Sequence, residues 1–538
     1  MSRAYLSLIL HAHLPFVRHK EKGQIAEEWL FEAITETYIP LLNIMEKLLR
    51  DKIYFRLSID ISPSLASMLA DNLLQKKYKK HLENLIELSE KEIHRLKNNE
   101  EIKKLAEMYR CLFKEAYYVF HEKYNDNLLN GFKRFQDEGS LEIITSAATH
   151  AYLPLIYKKE TISAQIKTGI KTYKHFFNQE PPGIWLPECG FKENIEAILA
   201  REKIRYFISS SHGLLYAIPR PRYGLFAPVY TPNGVAVFGR DLESSKQVWS
   251  ADEGYPGDFD YREFYRDIAY DLNYDYIKKY LPSGIRKHTG IKYYKITGKT
   301  DNKELYNPDR ARKKAAEHAA NFAFNRQQQF FYLNNIMDRN PIIIAPYDAE
   351  LFGHWWFEGP LWLEYLFKKL HYDIKEVLPI TPQEYLEKYP GNQVAMPAES
   401  SWGYKGYHEV WLNESNDWIY RHLHEAEKEM AKEVSKYQNN NDDEIIERAL
   451  KQLARELFLA QSSDWAFIMK TKTMVDYAEK RTKTHLNNFF KLIKQLQENN
   501  INERYLHELE EENNIFPFID YRDFIPEKDG NLLLRKEG

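Results

Sequence analysis

The sequence predicts an α/β protein whose centre is a (β/α) barrel. Short runs of apolar, β-branched and aromatic residues recur along the chain, and each run is continuous, which is typical of parallel strands buried on both faces. Segments with helical periodicity separate the runs, so strands and helices are expected to alternate. The runs occupy residues 5–10, 53–59, 141–146, 183–187, 204–209, 235–239 and 341–346.

Polar and ionisable side chains follow nearly every one of these runs. In a barrel of parallel strands, the loops after the carboxyl ends of the strands build the active site. The sequence therefore predicts an active site at that end of the barrel. The residues concerned are His11, His13, Asp60, His150, Glu188, His212, Arg240, Asp241 and Asp348.

The intervals between the runs are uneven, and the longest ones predict additions to the barrel. Residues 71–135 carry Leu and Ile at helical spacing among Lys and Glu, which indicates a helical insertion. Residues 411–538 are helical in pattern almost throughout, which indicates a C-terminal helical domain. The barrel itself is expected to comprise residues 1–70 and 136–410.

Composition and charge exclude several classes of protein. The 538 residues include 75 Lys+Arg and 78 Asp+Glu, a balance that argues against nucleic acid or an anionic membrane as partner. No apolar run reaches the roughly 18 residues that a membrane span needs, and the N-terminus has no signal-peptide cleavage pattern. Cys111 and Cys189 lie far apart and predict no disulfide framework. We expect a soluble, cytoplasmic protein, with a monomer as the expected state although composition leaves the oligomeric state open.

Aromatic residues make up 14% of the chain, with 10 Trp, 38 Tyr and 29 Phe. Such side chains suit a thick core, and they also suit surfaces that stack on sugars, because they combine an apolar face with a polar edge. Most Tyr and Phe lie in helical or strand runs, where a core role is expected. Several Trp lie in or beside the polar motifs at the strand ends, and this position favours a role in binding sugar.

The His-Ala-His motif at the end of the first run has two interpretations. Alternate residues of a strand point the same way, so His11 and His13 could together ligate a metal, with His150 or Asp348 as further ligands. They could equally line a pocket and form hydrogen bonds to a ligand. Because His-x-His alone is a weak metal motif, the hydrogen-bonding role is the favoured interpretation, and no metal is expected.

Two acidic motifs indicate the chemistry. Glu188 lies in WLPECG, between a proline and a glycine that would hold it rigidly, and Asp348 lies in APYDAELFGHWW together with Glu350 and His354. Two carboxylates from two strands, beside aromatic platforms, are typical of enzymes that cleave glycosidic bonds. No phosphate-binding glycine loop and no serine-hydrolase motif is present. A metal-dependent hydrolase using His11, His13 and an Asp, and a non-catalytic glucan-binding protein, remain as alternative classes.

Several long motifs, in this order, resemble glycoside hydrolase family 57 and within it the α-1,4-glucan branching enzymes. The resemblance implies an incomplete (β/α)7 barrel with a helical insertion, a C-terminal helical domain that closes over the active site, and no cofactor. The motifs are HAHLPFVRH (11–19), EEWLFEAITETYIPLL (27–42), TSAATHAYLPL (145–155), WLPECGF (185–191), VWSADEGYPGD (248–258), YREFYRD (261–267), APYDAELFGHWWFEGP (345–360), ESSWG (399–403) and QSSDWAF (461–467).

The resemblance also implies roles for individual residues. Glu188 would be the catalytic nucleophile and Asp348 the general acid/base. Sugar would be bound by His11, His13, Trp29, His150, Trp249, Trp356, Trp402, Trp411, Asp464 and Trp465, while Arg240 and His354 are added as binding candidates because they lie in loops after strands. Residues 220–240, with the Pro-Asn-Gly turn and with Tyr223 and Tyr230, are expected to form a loop over the active site that favours transfer over hydrolysis.

The expected function is therefore that of a 1,4-α-glucan branching enzyme. It would cleave α-1,4 linkages in amylose, amylopectin or glycogen and transfer the chain to a 6-hydroxyl by a retaining double displacement. An α-amylase or a 4-α-glucanotransferase on the same fold is the nearest alternative.

Overall fold

A curved sheet of seven parallel strands forms the centre of the computed structural model, which describes residues 3–21, 25–250, 253–281, 284–437 and 443–526. The strands lie in the order β8-β1-β2-β3-β4-β5-β7 and form an incomplete (β/α)7 barrel, as predicted. Their bounds are β1 Ala4–Ala12, β2 Leu57–Ile61, β3 Leu141–Ser146, β4 Gly183–Trp185, β5 Tyr206–Ser209, β7 Ala236–Gly239 and β8 Ile342–Asp348; two short strands, β6 Val229–Tyr230 and β9 Val377–Pro379, are added.

The barrel is incomplete because β7 and β8 meet at only one point. Just past the end of β7, Arg240 forms a single parallel bridge with Ile344 of β8. At the other end of the gap, β6 pairs antiparallel with the start of β7, and the first residue of β8, Ile342, donates its N–H to the carbonyl of Phe226. The segment that contains β6 therefore fills the gap between the two edge strands.

Apolar side chains fill the interior of the barrel. Ile9, Ile144, Trp185, Ile208 and Ile344 are all fully buried there, which explains why the strand sequences are continuously apolar. The amino end of the barrel is closed by helix α15, Pro382–Lys388, which follows β9. Its Tyr385 packs edge-on against Tyr5 at the start of β1, with ring centroids 5.8 Å apart.

Helices surround the sheet and complete the βα units. Helix α7 packs closely on β3, since a Cβ atom at its Gly169 would lie 2.1 Å from the carbonyl oxygen of Ser146. Besides α15, the α-helices of the described residues outside the insertion and the C-terminal region are α1 Glu27–Ala33, α2 Ile39–Arg50, α3 Pro63–Leu69, α7 Lys159–Phe177, α8 Ile195–Arg201, α9 Ser211–Leu215, α10 Leu242–Trp249, α11 Ile268–Asp271, α12 Tyr274–Ile277, α13 Pro308–Asn334 and α14 Gly359–Tyr372.

Helices also occupy the two stretches predicted as additions to the barrel. The insertion contains α4 Asn72–Arg95, α5 Glu100–Tyr117 and α6 Leu129–Asp137, and the Asp71 carboxylate caps α4 by accepting from the N–H groups of Leu73 and Leu74. The C-terminal region contains α16 Trp418–Val434, α17 Glu444–Ala460, α18 Ser463–Thr471, α19 Val475–Gln497 and α20 Glu503–Glu512. The last residues of the predicted C-terminal domain, 527–538, lie outside the described part. The division into domains stays a prediction.

The C-terminal helices are attached directly to the end of the barrel where the predicted site lies. Ala151, just after β3, forms an antiparallel bridge with Ser462, and the Thr149 hydroxyl donates to the carbonyl of Phe458 at 2.5 Å. Within the described ranges, no helix is both long enough and apolar enough to cross a membrane.

A π-helical turn, Ile34–Tyr38, lies between α1 and α2 and contacts the loop after β8. The backbone of Gly353 in that loop approaches the turn so closely that a Cβ atom would lie 1.8 Å from the carbonyl oxygen of Glu36. Gly353 also has φ +119°, a conformation that side chains disfavour. The contact therefore requires glycine at this position.

We predict that Gly353→Ala destabilises the protein by roughly 2–3 kcal/mol, because the new methyl group separates the loop from the π-helical turn. The midpoint of urea-induced unfolding, followed by tryptophan fluorescence, measures the effect. Gly391→Ala is the matched control, since a Cβ atom there would have no neighbour within 4 Å. Equal midpoints for the two variants would contradict the prediction.

Candidate active site

The register of the parallel strands brings the predicted polar residues together at one end of the barrel. His11 on β1 lies opposite Asp60 on β2 and opposite Asp348 on β8. Glu188 follows β4, and its carboxylate is close enough to Asp348 to raise the pKa of that residue. Predicted residues that are more than 300 positions apart in sequence therefore share one cleft.

Glu188 lies in a strained turn, Pro187–Cys189. Both Glu188 and Cys189 have left-handed backbone conformations, with φ of +61° and +50°. For residues other than glycine this costs on the order of 1–2 kcal/mol, and such strain is found mainly at functional sites. The N–H of Trp402 donates to the carbonyl of Glu188 at 3.0 Å and holds the turn in place. Gly190 allows the ring of Tyr152 to pack against the turn, since a Cβ atom there would lie 2.6 Å from that ring.

The Glu188 carboxylate accepts two hydrogen bonds. Trp402 donates its indole N–H to Oε2 at 2.7 Å, and Ser463 donates its hydroxyl to Oε1 at 3.5 Å. Burial raises the pKa of Glu188 to about 7, while the hydrogen bond from Trp402 opposes this rise. The negative form of Glu188 is thus stabilised by specific donors.

Asp348 is buried as well, but no hydrogen-bond donor is among the groups that perturb its pKa. Burial raises the pKa of Asp348 well above its ordinary range, and the carboxylates of Glu350 and Glu188 raise it further. Only the guanidinium of Arg240 acts in the other direction. When two neighbouring carboxyl groups differ in this way, one holds the proton and the other the negative charge. This difference favours Asp348 as the protonated member of the pair and Glu188 as the carboxylate.

Four aromatic rings form a stack beside the carboxyl pair. His11 lies between Trp185 and His150, with ring centroids 4.8 and 4.9 Å away, and His150 stacks on His13 at 3.8 Å. Burial lowers the pKa values of His11 and His150 well below their ordinary range, so both rings are neutral. A neutral imidazole has one nitrogen that accepts hydrogen bonds.

The C-terminal helices supply two side chains to this stack. At the start of α18, the Ser463 hydroxyl lies 2.9 Å from Nδ1 of His150, and the Asp464 carboxylate accepts from Nε2 of His13 at 3.0 Å. Nε2 of His150 is buried and has no hydrogen-bond partner among the described residues. A ligand hydroxyl would satisfy it.

His13, His150 and Asp464 also form the one candidate metal cluster within the described part of the chain, with ligand atoms within 4.8 Å of one another. The His13 and His150 rings are nearly parallel, at 18°, so their nitrogen lone pairs run side by side and do not converge on one point. Nε2 of His13 is already bonded to Asp464. This geometry fits hydrogen bonding to a ligand better than metal ligation.

Other predicted binding residues retain accessible surface. Trp402 is partly buried beside Glu188, and the guanidinium of Arg240 lies over its ring at 5.6 Å. Trp249 at the end of α10 is 46% exposed, and Trp29 is partly buried with Tyr477 edge-on against it at 5.8 Å. These side chains stay candidates for sugar binding.

Three predicted binding tryptophans are core residues in the structure. Trp356, Trp411 and Trp465 are each 1% exposed. Trp356 packs on Trp362, Trp411 stacks on Tyr152, and Trp465 donates its indole N–H to a backbone carbonyl. Because their faces are covered by protein, the structure does not support direct contact with glucan, and Trp411 instead supports the Glu188 turn through Tyr152.

The predictions for residues 220–240 and for His354 also need correction. Tyr230 lies in β6 opposite Ala236, the first residue of β7, and therefore at the amino end of the barrel, away from Glu188. The segment fills the gap between β7 and β8, and the Tyr223 hydroxyl bonds Asp338, so neither tyrosine covers the cleft. His354 is bound through Nδ1 to Glu36 at 2.7 Å, which makes it a support for the loop after β8.

Sequence reasoning missed Ser463 and Tyr38 as parts of the site. The Tyr38 hydroxyl, at the end of the π-helical turn, donates to the carboxylate of Glu350 beside Asp348. Both residues lie in motifs noted in the sequence, QSSDWAF and EEWLFEAITETYIPLL. Their position in these motifs could have indicated a role in the site. Only the folded chain shows which side chain of each motif reaches the cleft.

Comparison with known proteins agrees with this architecture. The model of the family described as glycosyl hydrolase family 57 matches residues 7–398, which covers the barrel from within β1 to beyond β9. The chain belongs to glycosyl hydrolase family 57. A second model, described as the C-terminal part of 1,4-alpha-glucan branching enzyme, matches residues 422–524 of this family-57 protein.

Proteins that are similar over nearly all of this chain include two kinds of enzyme. The chain is 34% identical to the 1,4-alpha-glucan branching enzyme TK1436 of Thermococcus kodakarensis, over 96% of this chain and 77% of that protein. The crystal structure of the alpha-amylase AmyC from Thermotoga maritima is 46% identical, with a TM-score of 0.91 over 98% of this chain and 100% of that one. The GH57-type branching enzyme of Pyrococcus horikoshii is 34% identical, with a TM-score of 0.88 over 98% and 97%.

The hydrogen bond from Trp402 gives a prediction about pH dependence in this family-57 protein. Trp402→Phe removes a donor that stabilises the Glu188 carboxylate, so the pKa of Glu188 rises and the acidic limb of kcat/KM moves to higher pH, by roughly one unit. The pH profile on a soluble α-glucan measures the shift. Trp249→Phe serves as control, since Trp249 is absent from the groups that perturb Glu188. If the acidic limb of kcat/KM lies at the same pH in Trp402→Phe as in the wild type, Trp402 does not stabilise the Glu188 carboxylate.

Proposed function

We propose that this protein is a 1,4-α-glucan branching enzyme. It cleaves an α-1,4 linkage and transfers the released chain to the 6-hydroxyl of an acceptor glucan. One observation carries the proposal: the region that matches the branching-enzyme C-terminal model supplies Ser463 and Asp464 directly to the catalytic cleft. The part of the chain that resembles branching enzymes in particular is thus a part of the site.

The first half of the proposed reaction uses the proton arrangement of the carboxyl pair. Asp348, neutral in the free enzyme, donates its proton to the glycosidic oxygen, and the bond from that oxygen to C1 breaks. The Glu188 carboxylate attacks C1 and forms a glycosyl-enzyme ester. Trp402 and Ser463 orient the attacking carboxylate. The neutral rings of His11 and His150 accept hydrogen bonds from hydroxyls of the same sugar.

The second half transfers the chain and restores the enzyme. Asp348, now a carboxylate, takes the proton from the 6-hydroxyl of the acceptor as that oxygen attacks C1, and the ester bond to Glu188 breaks. Two inversions at C1 give net retention of configuration. Trp29, Trp249 and Trp402, with Arg240, are proposed contacts for the glucan. The proposed substrates are amylose, amylopectin and glycogen, and we also propose a cytoplasmic location, a monomeric state and no metal or cofactor.

Hydrolysis is a second candidate, and two specific observations favour it. The chain is 46% identical to a structure described as an alpha-amylase. The tyrosines that were expected to shield the site do not do so: Tyr230 pairs with the first residue of β7 at the amino end of the barrel, and Tyr223 bonds Asp338. If water replaces the acceptor hydroxyl in the second half of the reaction, the same residues produce an amylase.

The product distribution on amylose distinguishes these candidates. For a branching enzyme we expect new α-1,6 linkages, counted by proton NMR and by enzymatic debranching, with few new reducing ends. Reducing ends without branches would establish an amylase, and redistributed linear chains a 4-α-glucanotransferase. A parallel incubation with a chelator tests the metal-dependent alternative, because the proposed reaction continues unchanged.

We predict that Glu188→Gln lowers the rate on amylose by about 10³-fold or more, because the amide cannot form the ester intermediate. Asp348→Asn is expected to lose activity on glucans, whose leaving group needs a proton, and to retain more on a glycosyl fluoride, whose leaving group does not. Both effects are measured as initial rates on purified, folded protein. Turnover by Glu188→Gln at a wild-type rate would exclude Glu188 as the nucleophile.

A further inference from the structure

We propose that Trp355 is a glucan-binding platform on the rim of the catalytic cleft, where it holds a part of the chain away from the bond that is cleaved. This inference rests on the proposed function, since it assumes an α-glucan substrate. The platform comprises Trp355 and the rings beside it, Phe264, Tyr265, His288 and Tyr270. We refer to these five residues as the rim cluster.

The two adjacent tryptophans of the loop after β8 point in opposite directions. Trp356 is 1% exposed and belongs to the core, whereas Trp355 is 53% exposed. The backbone N–H of Trp355 donates to the carbonyl of Glu350 at 3.1 Å, and Glu350 lies two residues after Asp348. Trp355 is therefore tied to the same end of the barrel as the catalytic carboxyl pair.

The Trp355 ring has an aromatic ring stacked on it and still exposes about half of its surface. Phe264 stacks beneath it, with ring centroids 4.5 Å apart and an angle of 28° between the rings, and His354 contacts it edge-on at 5.1 Å. A flat ring with one face supported and a large exposed surface suits the apolar face of a pyranose, because sugar C–H groups pack on aromatic faces while hydroxyls stay hydrated.

The support under the ring is rigid. His354 is held by its hydrogen bond to Glu36 at 2.7 Å, and Gly353 packs against the carbonyl of Glu36. The Phe264 ring is held in turn by the Lys292 ammonium, which lies 4.1 Å from the centroid of that ring. Although burial alone would raise the pKa of Glu36, the bond from His354 holds that pKa at about 2, so the pair is ionic. A preorganised platform loses little conformational entropy when a ligand binds.

The rim cluster extends beyond Trp355 as a row of rings. His288 stacks on Phe264 at 5.7 Å, Tyr270 contacts His288 edge-on at 5.4 Å, and Tyr265 contacts Phe264 edge-on at 5.1 Å. Tyr265 is 77% exposed and Tyr270 is 51% exposed. Several exposed aromatic rings that contact one another, and that begin at the loop after β8, fit a long uncharged polymer better than a small ligand.

The test measures binding in the Glu188→Gln background, where the glucan is not consumed. We expect Trp355→Ala to weaken binding of amylose roughly three- to tenfold, as judged by affinity electrophoresis and calorimetry. Trp355→Phe keeps a flat face and should restore most of the affinity. Tyr332→Ala, which removes a 66% exposed aromatic from α13, is the matched control and should bind as tightly as its parent.

The outcomes separate this inference from the proposed function. If Glu188→Gln itself fails to bind amylose, the proposed function fails. If it binds amylose, and the folded Trp355→Ala derivative binds equally well, the platform is refuted while the proposed function stands. A change in sedimentation without a change in amylose affinity would assign the surface to contact with a second copy of the chain and would likewise overturn the inference. Far-UV circular dichroism establishes that each variant is folded.

Discussion

The register of strand β1 is the constraint on which the rest of the structure depends. Through this one strand, His11 is placed between Asp60 on one neighbour and Asp348 on the other. A slip by one residue would turn every side chain of the strand to the opposite face and separate His11 from both carboxyl groups. The alignment is secured because β1 also pairs with β9 at its start, so its position is fixed at both ends.

The candidate active site is completed by a second part of the chain. The barrel alone provides the carboxyl pair and the stacked rings, but the donor at Oε1 of Glu188 and the acceptor at His13 come from the first residues of α18. The orientation of Glu188, the proposed nucleophile, and the attachment of the C-terminal helices therefore depend on the same residues. If the C-terminal helices were attached less tightly, the Glu188 carboxylate would lose its hydrogen bond from Ser463.

Much of this fold could be predicted from the sequence, because strands buried on both faces carry an unmistakable apolar pattern. The shared position of Glu188 and Asp348 followed from the same pattern. The errors have physical causes. The Pro-Asn-Gly turn before β7 signals a reversal of the chain, but local sequence does not say at which end of the barrel the reversal lies. Trp355 and Trp356 are adjacent and alike in chemistry, and only packing decides which one is buried. Ser463 reaches Glu188 across 275 positions, a contact that no local motif encodes.

The gap between β7 and β8 has a consequence for solubility. An open barrel presents two strand edges whose unpaired N–H and C=O groups would recruit strands from other molecules. Here the antiparallel β6 covers the start of the β7 edge. At the β8 edge, the carbonyl of Phe226 accepts a hydrogen bond from the N–H of Ile342, the first residue of that strand. The segment that contains β6 therefore protects the two edges at the amino end of the gap, so that the barrel stays open there without offering unpaired strand edges to other molecules.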